Sequence, residues 1–272
     1  MYRYKNSAAY QNIAASTRRN WNAHFDLILP RFGACTFAQI ERRGFRSEVR
    51  EYRDTMADTP RKADMFIQVF SRLLSWAVDE EHIARNPITS MGKLTAPRQH
   101  AEEIWMPHEV SRFLGDDKIS QHIKNAFELL FLTGLRPVDA VSLMWNEVKS
   151  DRVVKPTSKS KFQISAVIPR AERLNMLIDR IPRDSVYVLT TAKGTPWSGT
   201  DALSQAIQKH AKRLKIDRRT YDLRGSAVTY AMARGMSVYD IAKQMAWSVS
   251  EVEKIIDTYC DAETVLNVRT MF

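Results

Sequence analysis

The stretch FELLFLTGLRPVDAVSLMW, from Phe127 to Trp145, places a charged side chain among apolar ones. Its first half is typical of a buried helix that ends at Gly134, and Arg136 follows directly after that corner. Burying an unpaired guanidinium costs several kcal/mol. We therefore expect Arg136 either to pair with an acid inside the fold, such as Asp139, or to bind an anion from outside.

The charge of the whole chain favours a polyanion as partner. The 272 residues contain 41 Lys and Arg against 31 Asp and Glu, which gives a formal net charge of +10. This excess favours nucleic acid first and a membrane surface only second. An apolar content of 44% is ample for a packed globular core.

Several other classes of protein are disfavoured. No apolar run approaches the roughly eighteen residues of a membrane-spanning helix, and the start MYRYKNSAAYQ lacks the apolar segment of a signal peptide. Cys35 and Cys260 make no disulfide framework, and the six histidines are scattered without HxxxH spacing. We expect a cytoplasmic protein with reduced thiols and no metal.

The chain is predicted to form two domains. Residues 1–97 have a helical pattern, with one helix capped by Ser16 or Thr17 and another running from Pro60 to near Asn86. The segment around residues 98–103 combines Pro and charge without periodicity, which is typical of a linker. Residues 104–272 then form the second domain.

The second domain is predicted to be mainly α with a small antiparallel β-sheet. The runs RVVKPTS and FQISAVIP are rich in β-branched residues, and KSK separates them. This pattern predicts a hairpin or a three-stranded sheet with Lys159 and Lys161 near its turn. From about Gly199 the helical pattern returns and continues to the end of the chain.

Three further residues could act together with Arg136. Arg224, in YDLRGSAVTYAMARG, also stands at the start of an apolar helix. Two arginines could clamp the non-bridging oxygens of one phosphate, because each presents a planar fork of donors and neither loses its charge. Lys159, favoured over the neighbouring Lys161 by its place before SKFQISAVIP, could give a proton to an oxygen that leaves this phosphate, and Tyr259, in KIIDTYC, is a possible nucleophile.

The order of these motifs resembles the tyrosine recombinases, the phage integrase family. TGLR-PVD is followed by the hairpin lysine, then by Y-DLR-G, MAWS and a late tyrosine. The resemblance extends over essentially the whole chain, because STRRNW and the closing NP of the first domain are similar to that family's core-binding domain. It implies a helical core-binding domain and a catalytic domain of the DNA breaking-rejoining fold.

The resemblance also implies roles in the pocket. Arg136 and Arg224 match the family's two arginines, and Asp139 matches the acid that supports them. Trp247 occupies the position of a His or Trp that packs the pocket and whose N–H could reach a phosphate oxygen. Basic residues expected to bind DNA elsewhere are Arg18, Arg19, Lys62 and Lys161.

The implied reaction is strand cleavage and rejoining without a cofactor. Tyr259 would attack a DNA phosphodiester and form a 3′-phosphotyrosyl bond, while Lys159 protonates the leaving 5′-oxygen. A 5′-hydroxyl from a partner duplex would then reverse the step. Neither ATP nor a metal is required, which agrees with the absence of a P-loop and of ligand clusters from the sequence.

Two features depart from the family pattern. Tyr221 stands before Asp222 where most members have His, and a phenol with a pKa near 10 is a poor base at neutral pH. Twelve positions separate Trp247 from Tyr259, more than in many members. Of the other late tyrosines, Tyr230 and Tyr239 are expected to pack in the core.

The expected function is integration or excision of a mobile element, such as a prophage, by a site-specific recombinase. The resemblance implies double-stranded DNA as partner, a homotetramer on two DNA sites, and accessory DNA-bending or excision factors. It also implies a bacterial or phage-encoded protein associated with the nucleoid. The alternatives are a type IB topoisomerase-like enzyme and a catalytically silent DNA-binding protein with the same fold, for which Tyr221 is the main argument.

Overall fold

The computed structural model describes residues 1–96 and 104–259, with Thr258 and Tyr259 described by their backbone only. The chain divides into two compact units, Met1–Arg98 and Gln99–Phe272. The predicted linker, residues 98–103, lies outside the described residues. The assignment of residues 1–97 to DNA binding and of residues 104–272 to catalysis therefore stays a prediction.

The first unit is helical, and its core is rich in aromatic side chains. Phe32 packs against Phe45, Phe66 and Phe70, with ring centroids 5.2–6.4 Å apart. These rings come from three helices, so their contacts hold the helices together. The described helices of this unit are α1 (Tyr2–Asn6), α2 (Ala8–Gln11), α3 (Ala15–Phe32), α4 (Phe37–Glu41), α5 (Phe45–Asp54) and α6 (Pro60–Asp79).

Two helix ends in this unit differ from the prediction. Helix α3 begins at Ala15, so Ser16 and Thr17 lie inside its first turn rather than capping it. Helix α6 starts at Pro60 as expected but ends at Asp79, earlier than Asn86. The Asn86 side-chain amide donates hydrogen bonds to Ser71 and Ser75 of α6, because the chain turns back along this helix.

The second unit combines helices with one hairpin. Strands β1 (Arg152–Pro156) and β2 (Ser165–Pro169) pair antiparallel, with Val154 opposite Val167. The described helices are α7 (Pro107–Gly115), α8 (Gln121–Thr133), α9 (Pro137–Val141), α10 (Glu172–Arg180), α11 (Thr200–Arg213), α12 (Leu223–Ala233), α13 (Val238–Met245) and α14 (Val249–Tyr259).

Helix α8 lies at the centre of the second unit. Its Phe127 ring stacks on Phe113 of α7, with centroids 4.2 Å apart, and meets Trp105 edge to face at 4.7 Å. Helix α12 packs against both α8 and α14. The backbone N–H of Trp105 donates to the Ser226 hydroxyl at 2.8 Å, which ties the start of the unit to α12.

The predicted fold class, mainly α with a small antiparallel sheet, is confirmed, although some elements differ. Helix α9, which follows the corner at Gly134, is short and ends at Val141. Helix α10 was missed, although Leu174, Leu177 and Ile178 are buried at helical spacing.

Cys35 is a free thiol, and Cys260 lies outside the described residues. Within the described ranges, no helix has the length and apolar content needed to cross a membrane.

Candidate active site

Gly134 shapes the corner that positions Arg136. Gly134 ends α8 with φ at 61°, in the left-handed region that glycine adopts without strain. A Cβ atom at this position would lie 2.7 Å from the terminal carbon of Met245, so the corner also brings α13 close. Two residues later, Arg136 forms the N-cap position of α9.

Asp139 is only a distant partner for Arg136. Its side chain is 1% exposed, and its Oδ2 atom lies 3.9 Å from Nη1 of Arg136. The Asp139 Oδ1 atom accepts a hydrogen bond of 2.8 Å from the backbone N–H of Ser158 at the hairpin turn. Asp139 therefore supports both the arginine and the hairpin, and it leaves the guanidinium without a short ion pair.

Arg224 is more deeply buried than Arg136, and some of its hydrogen-bond donors have no partner in the described part of the chain. It is 3% exposed, and Nη1 donates to the carbonyl oxygen of Gly134. Its Nε and Nη2 atoms have no hydrogen-bond partner in the described part of the chain. Burial, followed by the like charge of Arg136, lowers the pKa of Arg224 to about 9 from an ordinary 12.5, so it is still charged at neutral pH.

Trp247 covers one side of Arg224. The guanidinium carbon lies 4.1 Å from the centroid of the Trp247 ring, within the range of a cation–π contact. Ala246 adopts φ of 53° after α13, and the Trp247 N–H then donates to the Ala242 carbonyl oxygen. The indole Nε1 atom has no hydrogen-bond partner among the described residues. This turn therefore supplies another donor beside the arginine.

The hairpin lysines occupy different environments. Lys155 on β1 is buried and bonds to Glu147 at 3.0 Å and to the carbonyl oxygen of Ser142 at 2.8 Å. Lys159, in the 3₁₀ turn between β1 and β2, is 62% exposed and forms an ion pair with Glu251 of α14. Lys161 adopts φ of 52° after this turn and is exposed.

An open cavity of about 340 Å³ brings the predicted residues together. Tyr221 stands at its rim with an exposed ring, one residue before the buried Asp222. The lining residues include five of the sequence predictions, namely Arg136, Lys159, Tyr221, Arg224 and Trp247, and further residues Asp222, Gly225, Glu251, Lys254 and Ile255. The cavity walls thus carry four cationic side chains, which suits an anionic ligand.

Other residues singled out in the sequence lie away from the cavity, or their side chains are outside the described part of the structure. The helix α14 includes the backbone of Tyr259, but its side chain lies outside the described atoms. Tyr230 is buried as predicted. Tyr239 is exposed, which corrects the prediction that it packs in the core, because Ile241, Ala242 and Met245 form the buried face of α13.

Sequence reasoning missed the two charged residues that α14 contributes, Glu251 and Lys254. A usable signal was present, because Ser248 and Glu251 have the spacing of a capping box. In the structure the Ser248 backbone N–H donates to Glu251 Oε2 at 3.1 Å, and the Glu251 N–H donates to the Ser248 hydroxyl at 3.2 Å. This cap fixes the start of the helix at the edge of the cavity.

Arg18, Arg19 and Lys62, the basic residues predicted to bind DNA, belong to the first unit. Arg18 and Arg19 lie in the first turns of α3, where Arg18 donates to the Gln11 side chain at 2.6 Å. Lys62 is exposed in the first turn of α6. A role for these residues in DNA binding stays a prediction.

Comparison with known proteins identifies the family. The model of the phage integrase family matches residues 105–262, more than half of the chain and the whole of the cavity. The chain therefore belongs to the phage integrase family, the tyrosine recombinases. The predicted family and enzyme class are confirmed. No curated protein matches the sequence.

Solved structures share the fold at low sequence identity. A lambda integrase dimer bound to a COC′ core site matches with a TM-score of 0.73 and 14% identity, over 98% of this chain and 75% of that chain. A lambda integrase tetramer bound to a Holliday junction gives 0.74 and 15%, over 90% and 75%. The Tn1549 transposon integrase in complex with transposon right end DNA gives 0.69 and 16%, over 92% and 91%.

Proposed function

We propose that this chain is a site-specific DNA recombinase that cleaves and rejoins DNA through a 3′-phosphotyrosyl intermediate. The observation that carries the proposal is the pair Arg136 and Arg224 at one open cavity, with Nε and Nη2 of Arg224 unpaired in the described structure. A buried cation with unused donors is costly unless a ligand completes it. A phosphodiester has the charge and the oxygen geometry to do so.

The two arginines suit binding of the transition state. As a nucleophile attacks phosphorus, charge builds up on the non-bridging oxygens, and fixed donors stabilise this charge without reorganising. Arg224 is held by the Gly134 carbonyl and the Trp247 ring, and Arg136 is fixed at the start of α9. The indole N–H of Trp247 is a further donor for one of these oxygens.

The chemical step is assigned to Tyr259 and Lys159. The Tyr259 oxygen forms a bond to phosphorus and loses its phenolic proton to solvent water, while the bond from phosphorus to the 5′-oxygen breaks. Lys159 gives a proton to the leaving 5′-oxygen, and the ester energy is kept in the phosphotyrosine. Its exposed position at the hairpin turn favours Lys159 over the buried Lys155, which is already paired.

The hairpin tip is proposed to contact DNA beside the cleaved phosphate. Phe162 is 65% exposed with φ of 65°, and Ile164 is also exposed. Lys159 and Lys161 come just before this apolar tip, and the Thr157 carbonyl accepts the Phe162 N–H at 3.0 Å. A fixed apolar tip beside cations suits a DNA groove, where the cations meet phosphates and the ring meets sugar or base edges.

The proposed assembly is a homotetramer on two double-stranded DNA sites. Its support is the shared fold, because one of the similar structures is a lambda integrase tetramer bound to a Holliday junction. Strand exchange between two duplexes needs four cleavages, which four protomers supply. We propose that the event moves a mobile element such as a prophage, with accessory DNA-bending or excision factors, at the nucleoid in the cytoplasm.

Covalent capture of DNA tests this function. Nicked suicide duplexes built from DNA flanking the gene are incubated with the full chain and with Tyr259→Phe, then separated on a denaturing gel. We expect a shifted adduct that is lost in the variant, while DNA binding is retained. A shifted adduct in Tyr259→Phe would exclude Tyr259 as the nucleophile.

The same assay separates the two alternatives. A type IB topoisomerase-like enzyme would relax any supercoiled plasmid, whereas a recombinase would act at one site. A silent DNA-binding protein would bind the duplexes and form no adduct with any of them. In that case the exposed Tyr221, in place of the usual histidine, would be the first residue to revert.

A further inference from the structure

The cavity contains a carboxylate, Glu251, among its cationic side chains. Glu251 lines the cavity together with Arg136 and Arg224, and its Oε1 atom accepts a hydrogen bond from Lys159. Glu251 stands eight positions before Tyr259 on the same helix. The proposed general acid is thus tied to the helix that carries the proposed nucleophile.

The position of this carboxylate is fixed by the helix cap. One oxygen of Glu251, Oε2, accepts the Ser248 backbone N–H at 3.1 Å, and the other, Oε1, is left to face Lys159. The hydrogen bond from Lys159, and then the backbone N–H of Ser248, lower the pKa of Glu251 to about 2. The side chain is therefore ionised at neutral pH, as its ion pair with Lys159 requires.

We propose that Glu251 is an internal counter-ion that holds Lys159 in the DNA-free protein and releases it when a phosphodiester enters the cavity. Glu251 is then a positioning residue that acts through Lys159. This inference rests on the proposed function, because it assigns Lys159 to the leaving 5′-oxygen. The pair is partly exposed on both sides, so phosphate can compete for the lysine.

The proposal predicts the size of the effect. Suppose that DNA binds only the fraction of the protein in which Lys159 is released from Glu251. The apparent affinity for DNA then equals the intrinsic affinity multiplied by that fraction. For an ion pair of the strength found at exposed sites, removal of the Glu251–Lys159 pair should tighten DNA binding by about two- to sixfold. Below saturation the rate of adduct formation should rise by a similar factor.

The matched variants are Glu251→Gln and Glu253→Gln. Both remove one negative charge from α14, so their long-range attraction for DNA is equal. Glutamine at position 251 can still accept the Ser248 N–H and complete the capping box. Glu253 is exposed on the same helix and does not line the cavity. The difference between the two variants therefore reports the contact of Glu251 with the site.

The experiment measures affinity and rate separately. Fluorescence anisotropy gives the Kd for a labelled duplex from the flanking DNA, with each variant combined with Tyr259→Phe to prevent cleavage. Single-turnover adduct formation on the suicide duplex gives the rate with Tyr259 intact. We expect Glu251→Gln to bind about two- to sixfold more tightly than Glu253→Gln, and the difference to vanish when Lys159→Met is added to both.

Two results would overturn the proposal. Equal affinities of the two glutamine variants would show that Glu251 does not compete with DNA. A rate for Glu251→Gln at least tenfold below that of Glu253→Gln at saturating DNA would show that the carboxylate assists the chemistry instead of restraining it. Absence of any adduct from the native protein would refute the proposed function, while the affinity comparison would still decide this inference.

Discussion

Arg224→Met should make the free protein at least as stable as the native protein while abolishing DNA cleavage. The side chain of methionine has a similar length, no charge and enough flexibility to fill the space beneath Trp247. Most substitutions of a buried arginine destabilise a protein, because they leave its acidic partner unpaired. Arg224 differs, since Nε and Nη2 have no partner in the described structure.

The magnitude follows from three contributions. Burial and the charge of Arg136 lower the pKa of Arg224 from 12.5 to about 9, which corresponds to a cost of roughly 5 kcal/mol at about 1.4 kcal/mol per pKa unit. Loss of the hydrogen bond to the Gly134 carbonyl offsets about 1–3 kcal/mol, and loss of the Trp247 contact about 1–2 kcal/mol. The net change in unfolding free energy is about 0–3 kcal/mol, in favour of the variant.

The change in unfolding free energy keeps its sign, in favour of Arg224→Met, at the pH of the assay. A base with a lowered pKa in the folded state destabilises that state fully while both states are protonated, below about pH 9 for Arg224. The cost declines only as pH rises from there toward 12.5. A comparison at pH 7.5 therefore measures the full effect.

Urea unfolding followed by circular dichroism measures the change. The buffer contains chloride and no sulfate or phosphate, because an anion bound at the cavity would stabilise the native protein alone. Added sulfate should accordingly raise the Tm of the native protein and leave that of Arg224→Met unchanged. A loss of more than about 2 kcal/mol in the variant would identify Arg224 as a structural arginine and refute the argument for an anion site.

Four further predictions concern the hairpin and the cavity rim. Lys155→Met should lower the unfolding free energy by about 2–4 kcal/mol in urea, since it removes the buried partner of the partly buried Glu147 carboxylate, whereas Lys159→Met should change it by less than about 1 kcal/mol. The cleavage defect of Lys159→Met should be rescued by a 5′-thio leaving group, which needs no proton, and failure of this rescue would exclude Lys159 as the general acid. Tyr221→His should speed adduct formation at least tenfold and add an inflection near pH 6.5 to its rate profile, and an unchanged profile would show that the position handles no proton. Phe162→Ser should weaken DNA binding by about tenfold in anisotropy while Ile164→Ser has a smaller effect, and equal effects would remove the special role of the ring.

Local patterns decided much of the fold in advance. The corner at Gly134 was predictable because a glycine after an apolar run is the usual end of a helix. The hairpin was predictable because two β-branched runs flank a short polar turn. The end of α6 was not, since the side chain of Asn86 bonds back to α6 and this contact depends on the folded chain.

The candidate site shows the same division. The residue order predicted Arg136, Lys159 and Arg224 as partners for a phosphate, and the structure brings these three side chains to one cavity. The sequence did not show that Lys155 is buried while Lys159 is exposed, because burial depends on which face of the hairpin meets the core.

The sequence by itself determined the fold class, the family and the types of residue that line the candidate site, because these follow from periodicity, composition and motif order. Only the tertiary structure decided that the Gly134 carbonyl and the Trp247 ring hold Arg224, and that Glu251 forms an ion pair with Lys159. The contacts of Arg224 with Gly134 and of Lys159 with Glu251 join positions about ninety residues apart, and their geometry is set by how the elements of the second unit pack. No local pattern encodes that packing, since each helix satisfies its own backbone wherever it lies.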